Sequence, residues 1–230
     1  MNSEYWKNHW NKSAKEHKDI RFISGWGDRT FQEMLFAITD VAKKLGLKSE
    51  DRLLNIGCGA GLFEIAYTYW VKEIYSIDYS EEMVKITKKI TKKYDNVTIK
   101  HGNMLNLPFA DEFFDKVLVN SVIQCLNNLN EIEKAFREIK RVTKKQARIL
   151  ISMNPDASKK NSCIKGYYKL NLPQEEIKRK ISNINKALWF NNDELKNIGE
   201  KVGFKTRVLG MDRDVWQSRY YFDLLLVKGG

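Results

Sequence analysis

Hydrophobic residues follow two alternating spacings over residues 50–155, and this alternation predicts the fold. Short apolar runs bounded by turn residues are typical of buried strands, whereas apolar residues three and four positions apart predict amphipathic helices. The predicted elements alternate as strand, helix, strand, helix, strand, strand, helix and strand: "DRLLNIG", "AGLFEIAYTYW", "EIYSID", "SEEMVKITKKITKKY", "NVTIKHG", "FDKVLVNSVI", "NEIEKAFREIKRVT" and "ARILISMNP". This order predicts parallel βαβ units and a doubly wound α/β sheet.

The pattern changes on both sides of this region. Residues 156–190 are rich in Lys and Asn and carry one predicted helix, and residues 1–46 carry two helical patterns. The last three predicted elements are a helix and two strands: "NNDELKNIGEKVG", "FKTRVLG" and "YYFDLLLVKG". We expect residues 1–230 to form a single domain on a mostly parallel, seven-stranded sheet whose last strand is antiparallel. Residues 1–46 would be a helical extension that acts as a lid, and residues 156–190 would be an insertion.

Composition narrows the class of protein. No stretch approaches the roughly 18 apolar residues of a membrane helix, and the first ten residues lack the apolar core of a signal peptide. Cys58, Cys125 and Cys163 are widely spaced and form neither a metal-binding pattern nor a disulfide framework. We therefore expect a cytoplasmic protein with no membrane insertion and no metal. The net charge is +11, and many of the basic residues fall at helical intervals. This spacing favours solvated helix faces but leaves nucleic-acid binding open.

A glycine-rich turn, "LLNIGCGAGLFEI" at residues 53–65, follows the first predicted strand. Gly57, Gly59 and Gly61 form G-x-G-x-G, while Leu62 stands where a dinucleotide-binding turn has its third glycine. Glycines let the backbone approach a ligand closely. Asp78 ends the next predicted strand, where a carboxylate can accept hydrogen bonds from both hydroxyls of a ribose. The spacing thus predicts an adenosine-like ligand without a pyrophosphate.

The segment "GNMLNLPFADEFFDKV", taken with the order of the predicted strands and helices, resembles the class I S-adenosylmethionine-dependent methyltransferases. The likeness covers about residues 50–155 and 191–228 and implies a Rossmann-like methyltransferase fold with S-adenosylmethionine as cofactor. By this resemblance the three glycines would line the methionine and ribose, Asp78 would hold the ribose hydroxyls, and Asn120 would lie beside the sulfonium. Tyr79, Asn103 and the Met104 backbone would bind adenine. The cofactor-binding residues predicted in all are Trp26, Asn55, Gly57, Cys58, Gly59, Gly61, Asp78, Tyr79, Asn103, Met104 and Asn120.

Three departures from the family pattern bear on this assignment. Asn55 stands where relatives commonly have an acid, Asn103 replaces the usual Asp, and "KKQAR" lacks the usual Pro-Gly-Gly turn. An amide oxygen still accepts a hydrogen bond from the adenine amine, but a charged acceptor makes the stronger bond. Alternatively, Asn103 only closes a turn. Cys58 is interpreted as a small buried residue rather than a nucleophile.

The candidate catalytic residues are His17 and Gln124. Many relatives have a histidine after the fourth strand, near Asn120, whereas this chain has Gln124 and Cys125 there. Glutamine does not titrate at neutral pH, so Gln124 is expected only to orient an acceptor. A base, which a hydroxyl or protonated amine acceptor needs, would come from the segments that cover the site, with His17 as the first candidate and Tyr167 or Asp214 after it.

The acceptor site is expected from residues 1–30, 156–190 and 210–221, which are rich in aromatic residues. Three functions remain open at this stage. The first is methyl transfer to an oxygen or nitrogen of a small molecule such as a sugar or another metabolite. The second is tRNA modification, in which the basic helices would contact phosphates and the aromatic rings would stack on bases. The third is a cofactor-binding protein without catalytic activity.

Overall fold

The computed structural model describes residues 2–27 and 29–229, and its seven strands form one sheet. The strands are β1 Arg52–Ile56, β2 Glu73–Asp78, β3 Val97–His101, β4 Phe114–Asn120, β5 Thr143–Pro155, β6 Phe204–Leu209 and β7 Tyr221–Lys228. Their order is β3-β2-β1-β4-β5-β7-β6. The pairs among β1 to β5 are parallel, and β7 is antiparallel to both β5 and β6. The predicted mostly parallel sheet with an antiparallel last strand is confirmed.

Helices cover both faces of the sheet. They are α1 Asn2–Glu16, α2 Ile20–Ile23, α3 Phe31–Leu45, α4 Leu62–Tyr67, α5 Glu81–Thr91, α6 Leu129–Val142, α7 Lys160–Tyr167, α8 Gln174–Lys186 and α9 Asn192–Val202. Successive residues of a strand point to opposite faces, and β1 shows the result. Leu54 packs in one core with α6 and α9, whereas Leu53 packs in another with α3 and α4.

Local signals explain where several helices begin and end. Thr30 and Glu33 form a capping box at the start of α3, and Gly46 ends that helix in the left-handed conformation. Ser80 accepts a hydrogen bond from the Met83 backbone N–H at the start of α5, as the sequence predicts. None of the helices within residues 2–27 and 29–229 combines the length and apolar character that a bilayer crossing requires.

The structure differs from the sequence-based elements at several boundaries. The helix after the glycine turn is short, Leu62–Tyr67, and residues 156–190 contain a second helix, α7. Strand β5 begins as soon as α6 ends: Thr143 has an extended backbone, and its hydroxyl donates to the Ile139 carbonyl at 2.9 Å in the last turn of α6. Gln146 adopts a left-handed φ of 62° in the segment where relatives have glycines.

Helix α1 lies across the carboxyl edge of the sheet. The Asn2 backbone N–H donates to the Asn127 side chain at 2.7 Å, beyond the end of β4. Farther along the helix, the Ser80 hydroxyl donates to Asn11 Oδ1 at 2.7 Å, at the start of α5. Helix α1 therefore spans the edge at which β1, β2 and β4 end.

Candidate active site

A cavity of about 310 Å³ opens at the carboxyl ends of β1, β2 and β4. The strand order reverses there, because β1 lies between β2 and β4, and such a switch point is where doubly wound sheets bind ligands. Side chains from α1, α7 and α8 line the opposite side of the cavity. The volume lies within the usual range for small-molecule sites.

The glycine turn forms one end of the cavity, which we call the cofactor end. Gly57, Gly59 and Gly61 all have left-handed backbones, with φ values of 79°, 54° and 84°. A Cβ atom on Gly57 would overlap the Val122 side chain. Gly57 and Gly59 line the cavity, whereas Gly61 begins α4 and packs against Thr87 and Ile90. Gly61 therefore supports the turn without lining the cavity.

Asp78 holds the turn in place from the end of β2. One carboxylate oxygen accepts from the Gly59 backbone N–H at 2.8 Å, and the other accepts from the Ser80 backbone N–H at 2.8 Å. Burial raises the pKa of this carboxyl above its ordinary value. Each carboxylate oxygen has a further lone-pair direction, so Asp78 can still accept from ribose hydroxyls.

Six other predicted cofactor residues line the same cavity: Trp26, Cys58, Tyr79, Asn103, Met104 and Asn120. The Asn103 amide oxygen accepts a hydrogen bond from the Leu105 backbone N–H at 2.9 Å. Asn103 therefore closes a turn, which is the alternative role that the sequence analysis gave it. Burial raises the pKa of the Cys58 thiol well above its ordinary value, which leaves the thiol protonated. Their contacts with the cofactor stay predictions.

Asn55 lies beneath the glycine turn and does not line the cavity. Its side-chain nitrogen donates to Glu64 Oε1 at 2.7 Å, and the Ser76 hydroxyl donates to the same oxygen at 2.6 Å. Glu64 is fully buried, and burial raises its pKa. An acid therefore does lie beside position 55, although α4 supplies it. The sequence reasoning missed Glu64, whose signal was a carboxylate within the otherwise apolar predicted helix "AGLFEIAYTYW".

The Ser24 hydroxyl is a further polar group that the sequence reasoning missed. It faces Gly59, lines the cavity and is buried without a hydrogen-bond partner among the described residues. A cofactor with a carboxylate or hydroxyl would supply that partner. The available signal was only its position next to the Gly25-Trp26-Gly27 segment.

Helices α1 and α8 close the other end of the cavity, which we call the acceptor end. The Tyr5 hydroxyl donates to Asn183 Oδ1 at 3.1 Å, which directs Asn183 Nδ2 toward His9 Nε2, 3.3 Å away. Burial, followed by the charges of Arg179 and Lys180, lowers the pKa of His9 to about 4. The His9 ring is therefore neutral at neutral pH, and Nε2 is its unprotonated nitrogen in this arrangement.

The structure does not bring His17 to the cavity. Helix α1 ends at Glu16, and the ring of His17 lies 5.8 Å from that of Phe22, outside the cavity lining. His9, two helical turns earlier, does line the cavity. The physical reason is that the chain turns toward α2 at the end of α1 and carries His17 away. His9 lies between Trp6 and Trp10, and this aromatic face was the available signal.

Gln124 lies in the short 3-10 turn Ile123–Cys125 and lines the cavity, and its role in orienting the acceptor stays a prediction. Its side-chain nitrogen donates to the Ser121 hydroxyl at 2.7 Å. Burial raises the pKa of the Cys125 thiol, so the thiol beside Gln124 stays protonated and is not a base.

Two residues near the cavity have strained backbones. Ser121, just after β4, and Met153, near the end of β5, have left-handed φ values of 59° and 60°. Such strain in residues other than glycine is typical of functional sites.

The chain is similar in sequence to known methyltransferases. A family model described as "Methyltransferase domain" matches residues 54–151. A demethylmenaquinone methyltransferase from Staphylococcus saprophyticus is 30% identical over 175 residues, which cover 71% of this chain and 74% of the relative. One of the same name from Geobacillus kaustophilus is 31% identical over 146 residues, covering 59% of this chain and 61% of the relative.

Solved structures share the fold at low sequence identity. A SAM-dependent methyltransferase from Aquifex aeolicus has a TM-score of 0.62 at 22% identity, covering 87% of this chain and 94% of its own. The N-methyltransferase NodS from Bradyrhizobium japonicum, solved with S-adenosyl-L-homocysteine, has a TM-score of 0.71 at 12% identity, with both chains fully covered. These likenesses concern the architecture of the sheet and its helices.

Proposed function

The chain belongs to the class I S-adenosylmethionine-dependent methyltransferases, and from that premise we propose that it methylates an oxygen or nitrogen atom of a small molecule. The observation that supports this proposal is the single cavity with two different ends. Gly57, Gly59 and Asp78 line it from the carboxyl ends of β1 and β2, whereas His9 and Gln124 line it from α1 and from the turn after β4. An acceptor held between α1 and α8 would thus meet the cofactor in a space of small-molecule size.

The residues of the acceptor end fit a positioning mechanism with a weak base. Gly57, Gly59 and Asp78 would hold the cofactor, which would supply the methyl group that is transferred to the acceptor. Gln124 would orient the acceptor, as the sequence reasoning proposes. His9 takes the role proposed for His17, because its neutral ring lines the cavity and its Nε2 can receive the proton of an acceptor hydroxyl. The 3.3 Å contact with Asn183 is long, so a hydroxyl can displace it.

Two other acceptors have a specific observation in their favour. The name of the sequence relatives makes demethylmenaquinone a second candidate acceptor. The basic helix faces keep tRNA as a third, although several of their cations pair with acids: Lys85 with Glu82, Arg137 with Glu133, and Arg141 with Glu138. The cavity volume of about 310 Å³ supports a small molecule over tRNA.

Two measurements test the proposal. Calorimetry should show binding of S-adenosylmethionine and S-adenosylhomocysteine but not of NAD; equal affinity for NAD would contradict the proposal. Transfer of a labelled methyl group into a cell extract, divided into RNA, protein, lipid and water-soluble small molecules, should label the last fraction. Label confined to RNA or to lipid would identify tRNA or demethylmenaquinone instead. Cofactor binding with no transfer to any fraction would indicate a protein without catalytic activity.

A further inference from the structure

The side chains around the cavity carry more positive than negative charge. Among the lining residues that the structure describes, four are cations and two are carboxylates. The cations are Lys7, Arg29, Arg179 and Lys180, and the carboxylates are Asp78 and Glu131. The sulfonium of S-adenosylmethionine would add a further positive charge. A cleft lined mostly by one sign of charge attracts ligands of the opposite sign, so this lining favours an anionic acceptor over a protonated amine.

Two of these cations, Arg179 and Lys180, lie beside the proposed base. Both are on α8, about one helical turn before Asn183, whose side-chain nitrogen lies 3.3 Å from His9 Nε2. Residues three and four apart on a helix are neighbours on its surface. After burial, the charges of Arg179 and Lys180 are the next largest causes that lower the pKa of His9 to about 4. Both cations therefore act on the space in which His9 would meet an acceptor.

The contacts of the Lys180 ammonium place it at the cavity wall. Its Nζ donates to the Gly25 carbonyl at 3.3 Å and lies 6.0 Å from the centre of the Tyr167 ring, and both of these residues line the cavity. An ammonium has three donor hydrogens, so Lys180 can bind an additional acceptor beside Gly25. Its side chain is 13% exposed, and solvent ions therefore screen its charge less than that of a surface lysine.

Arg179 supplies a planar cation next to that ammonium. Its Nε and Nη2 donate to the Glu176 carboxylate at 2.9 and 2.7 Å, which holds the guanidinium in place. A guanidinium has five N–H donors, so this pair leaves donors for a second oxyanion, and the Arg179 side chain is 32% exposed. Guanidinium and ammonium groups form charge-assisted hydrogen bonds with carboxylates and phosphates.

We infer that the methyl acceptor carries an oxyanion, a carboxylate or a phosphate, that binds to Arg179 and Lys180 of α8. These two cations hold the oxyanion while the hydroxyl or nitrogen of the same molecule lies near His9, about one helical turn farther along α8. This inference rests on the proposed function, since it names the class of acceptor for the same site. It adds Arg179 and Lys180 as residues that determine specificity.

Fractionation of the extract before methyl transfer tests the charge of the acceptor. The water-soluble small molecules are separated on an anion-exchange resin at neutral pH, and each fraction is offered to the protein with labelled cofactor. The label should enter the retained fraction. Label in the unretained fraction instead would overturn the inference while leaving methyl transfer to a small molecule in place. No label in any small-molecule fraction would overturn the proposed function and this inference together.

Two treatments of the retained fraction distinguish the two oxyanions. Alkaline phosphatase removes a phosphate monoester, whereas amidation neutralises a carboxylate. Loss of labelling after phosphatase would identify the oxyanion as a phosphate, and loss after amidation alone would identify it as a carboxylate. Labelling that survives both treatments would show that the anionic group does not contribute to recognition and would overturn the inference.

Variants of Lys180 test the contact itself, with the acceptor purified from the retained fraction. Lys180→Met removes the charge and keeps an unbranched side chain, so KM for the acceptor should rise by about 10-fold or more, as loss of a charge-assisted hydrogen bond does. Lys180→Arg keeps the charge and should recover part of the loss. Added salt should raise the wild-type KM and should affect Lys180→Met less, because salt screens charge. A merely structural role of Lys180 would not change this salt dependence.

Lys178→Met is the matched control on the same helix. Lys178 pairs with Glu175, its side chain is 64% exposed, and it does not belong to the cavity lining, so its KM should equal that of the wild type. The Kd for S-adenosylhomocysteine should be unchanged in all three variants. A wild-type KM in Lys180→Met would overturn the inference, and a weaker cofactor Kd beside that KM would assign Lys180 to the carboxylate of the cofactor instead.

Discussion

The two ends of the cavity are built in different ways. At the cofactor end, backbone groups of the glycine turn and the carboxylate of Asp78 bind one another across the ends of adjacent strands. At the acceptor end, side chains far apart in sequence meet, as Tyr5 and Asn183 do across 178 positions. Polar atoms without a hydrogen-bond partner among the described residues occur at both ends, as Ser24 Oγ beside Gly59 and Gln124 Oε1 show. Under the proposed function, the sheet would hold the cofactor, while the segments packed on it would select the acceptor.

If the ends are separate, a change at the acceptor end should affect turnover and leave cofactor affinity intact. We expect His9→Gln to lower kcat/KM for a hydroxyl acceptor by about 100-fold or more, as loss of a general base does. Only the neutral ring accepts a proton, and the pKa of His9 is lowered to about 4. Wild-type kcat/KM should therefore fall only as the pH drops toward 4, and this limb should be absent from the variant.

His17→Gln is the matched control for this experiment, since it removes a histidine that lies outside the cavity. Its pH profile and its kcat/KM should equal those of the wild type. A His17 variant without the acidic limb, beside a His9 variant that retains it, would restore the assignment made from the sequence and contradict the one made from the structure.

A change at the cofactor end should have the opposite effect. Gly57→Ala combines a left-handed φ of 79° with overlap between the new Cβ and Val122, so we expect S-adenosylhomocysteine to bind at least about 100-fold more weakly, because strain and a displaced turn add. Gly46→Ala is the control: its φ of 61° is also left-handed, but no atom lies within 4 Å of the new Cβ. Calorimetry should show normal affinity for that control.

Asp78 should contribute less than the backbone of the turn. Asp78→Ala removes a charged hydrogen-bond acceptor, which corresponds to about 1.5–3 kcal/mol of cofactor affinity. Because burial raises the pKa of Asp78, affinity should also begin to fall at a higher pH than for an ordinary aspartate as the solution is acidified. Asp156→Ala, which removes a carboxylate that caps the Ser158 N–H away from the cavity, should leave the Kd unchanged. An unchanged Kd in Asp78→Ala would show that the ribose is held elsewhere.

The fold and most of the cofactor end could be predicted because both depend on local patterns. Alternating apolar runs specify strands, and Gly57, Gly59 and Asp78 follow strand ends directly, so placing the strands places these residues. The register of β1 and β2, which pairs Ile56 with Ile77, brings the turn and the carboxylate together.

The acceptor end could not be predicted in the same way, because it depends on where the chain leaves α1 and how α8 packs against it. The choice between His9 and His17 shows this: both lie in the same segment, and only the end of α1 at Glu16 separates them. Asn55 shows a similar limit beneath the cofactor end. The sequence shows that Asn55 replaces the usual acid, but only the fold shows that the carboxyl group of Glu64 lies beside it.

The smallest effect is expected from the buried carboxyl of Glu64, and it tests whether this group is neutral in the folded protein. Burial raises the pKa of folded Glu64 above its ordinary value of 4.5. Folding therefore favours the protonated form: this contribution to stability is fully present below pH 4.5 and is lost as the pH rises through the folded pKa. Glu64→Gln stays neutral and keeps an amide oxygen for Asn55 and Ser76, so its free energy of unfolding relative to the wild type should increase with pH from about 4.5 upward. Urea unfolding across this range measures the difference, and Glu175→Gln at an exposed position serves as the control. A difference that instead decreases as the pH rises would mean that Glu64 is held as a carboxylate, with a charged partner under the glycine turn.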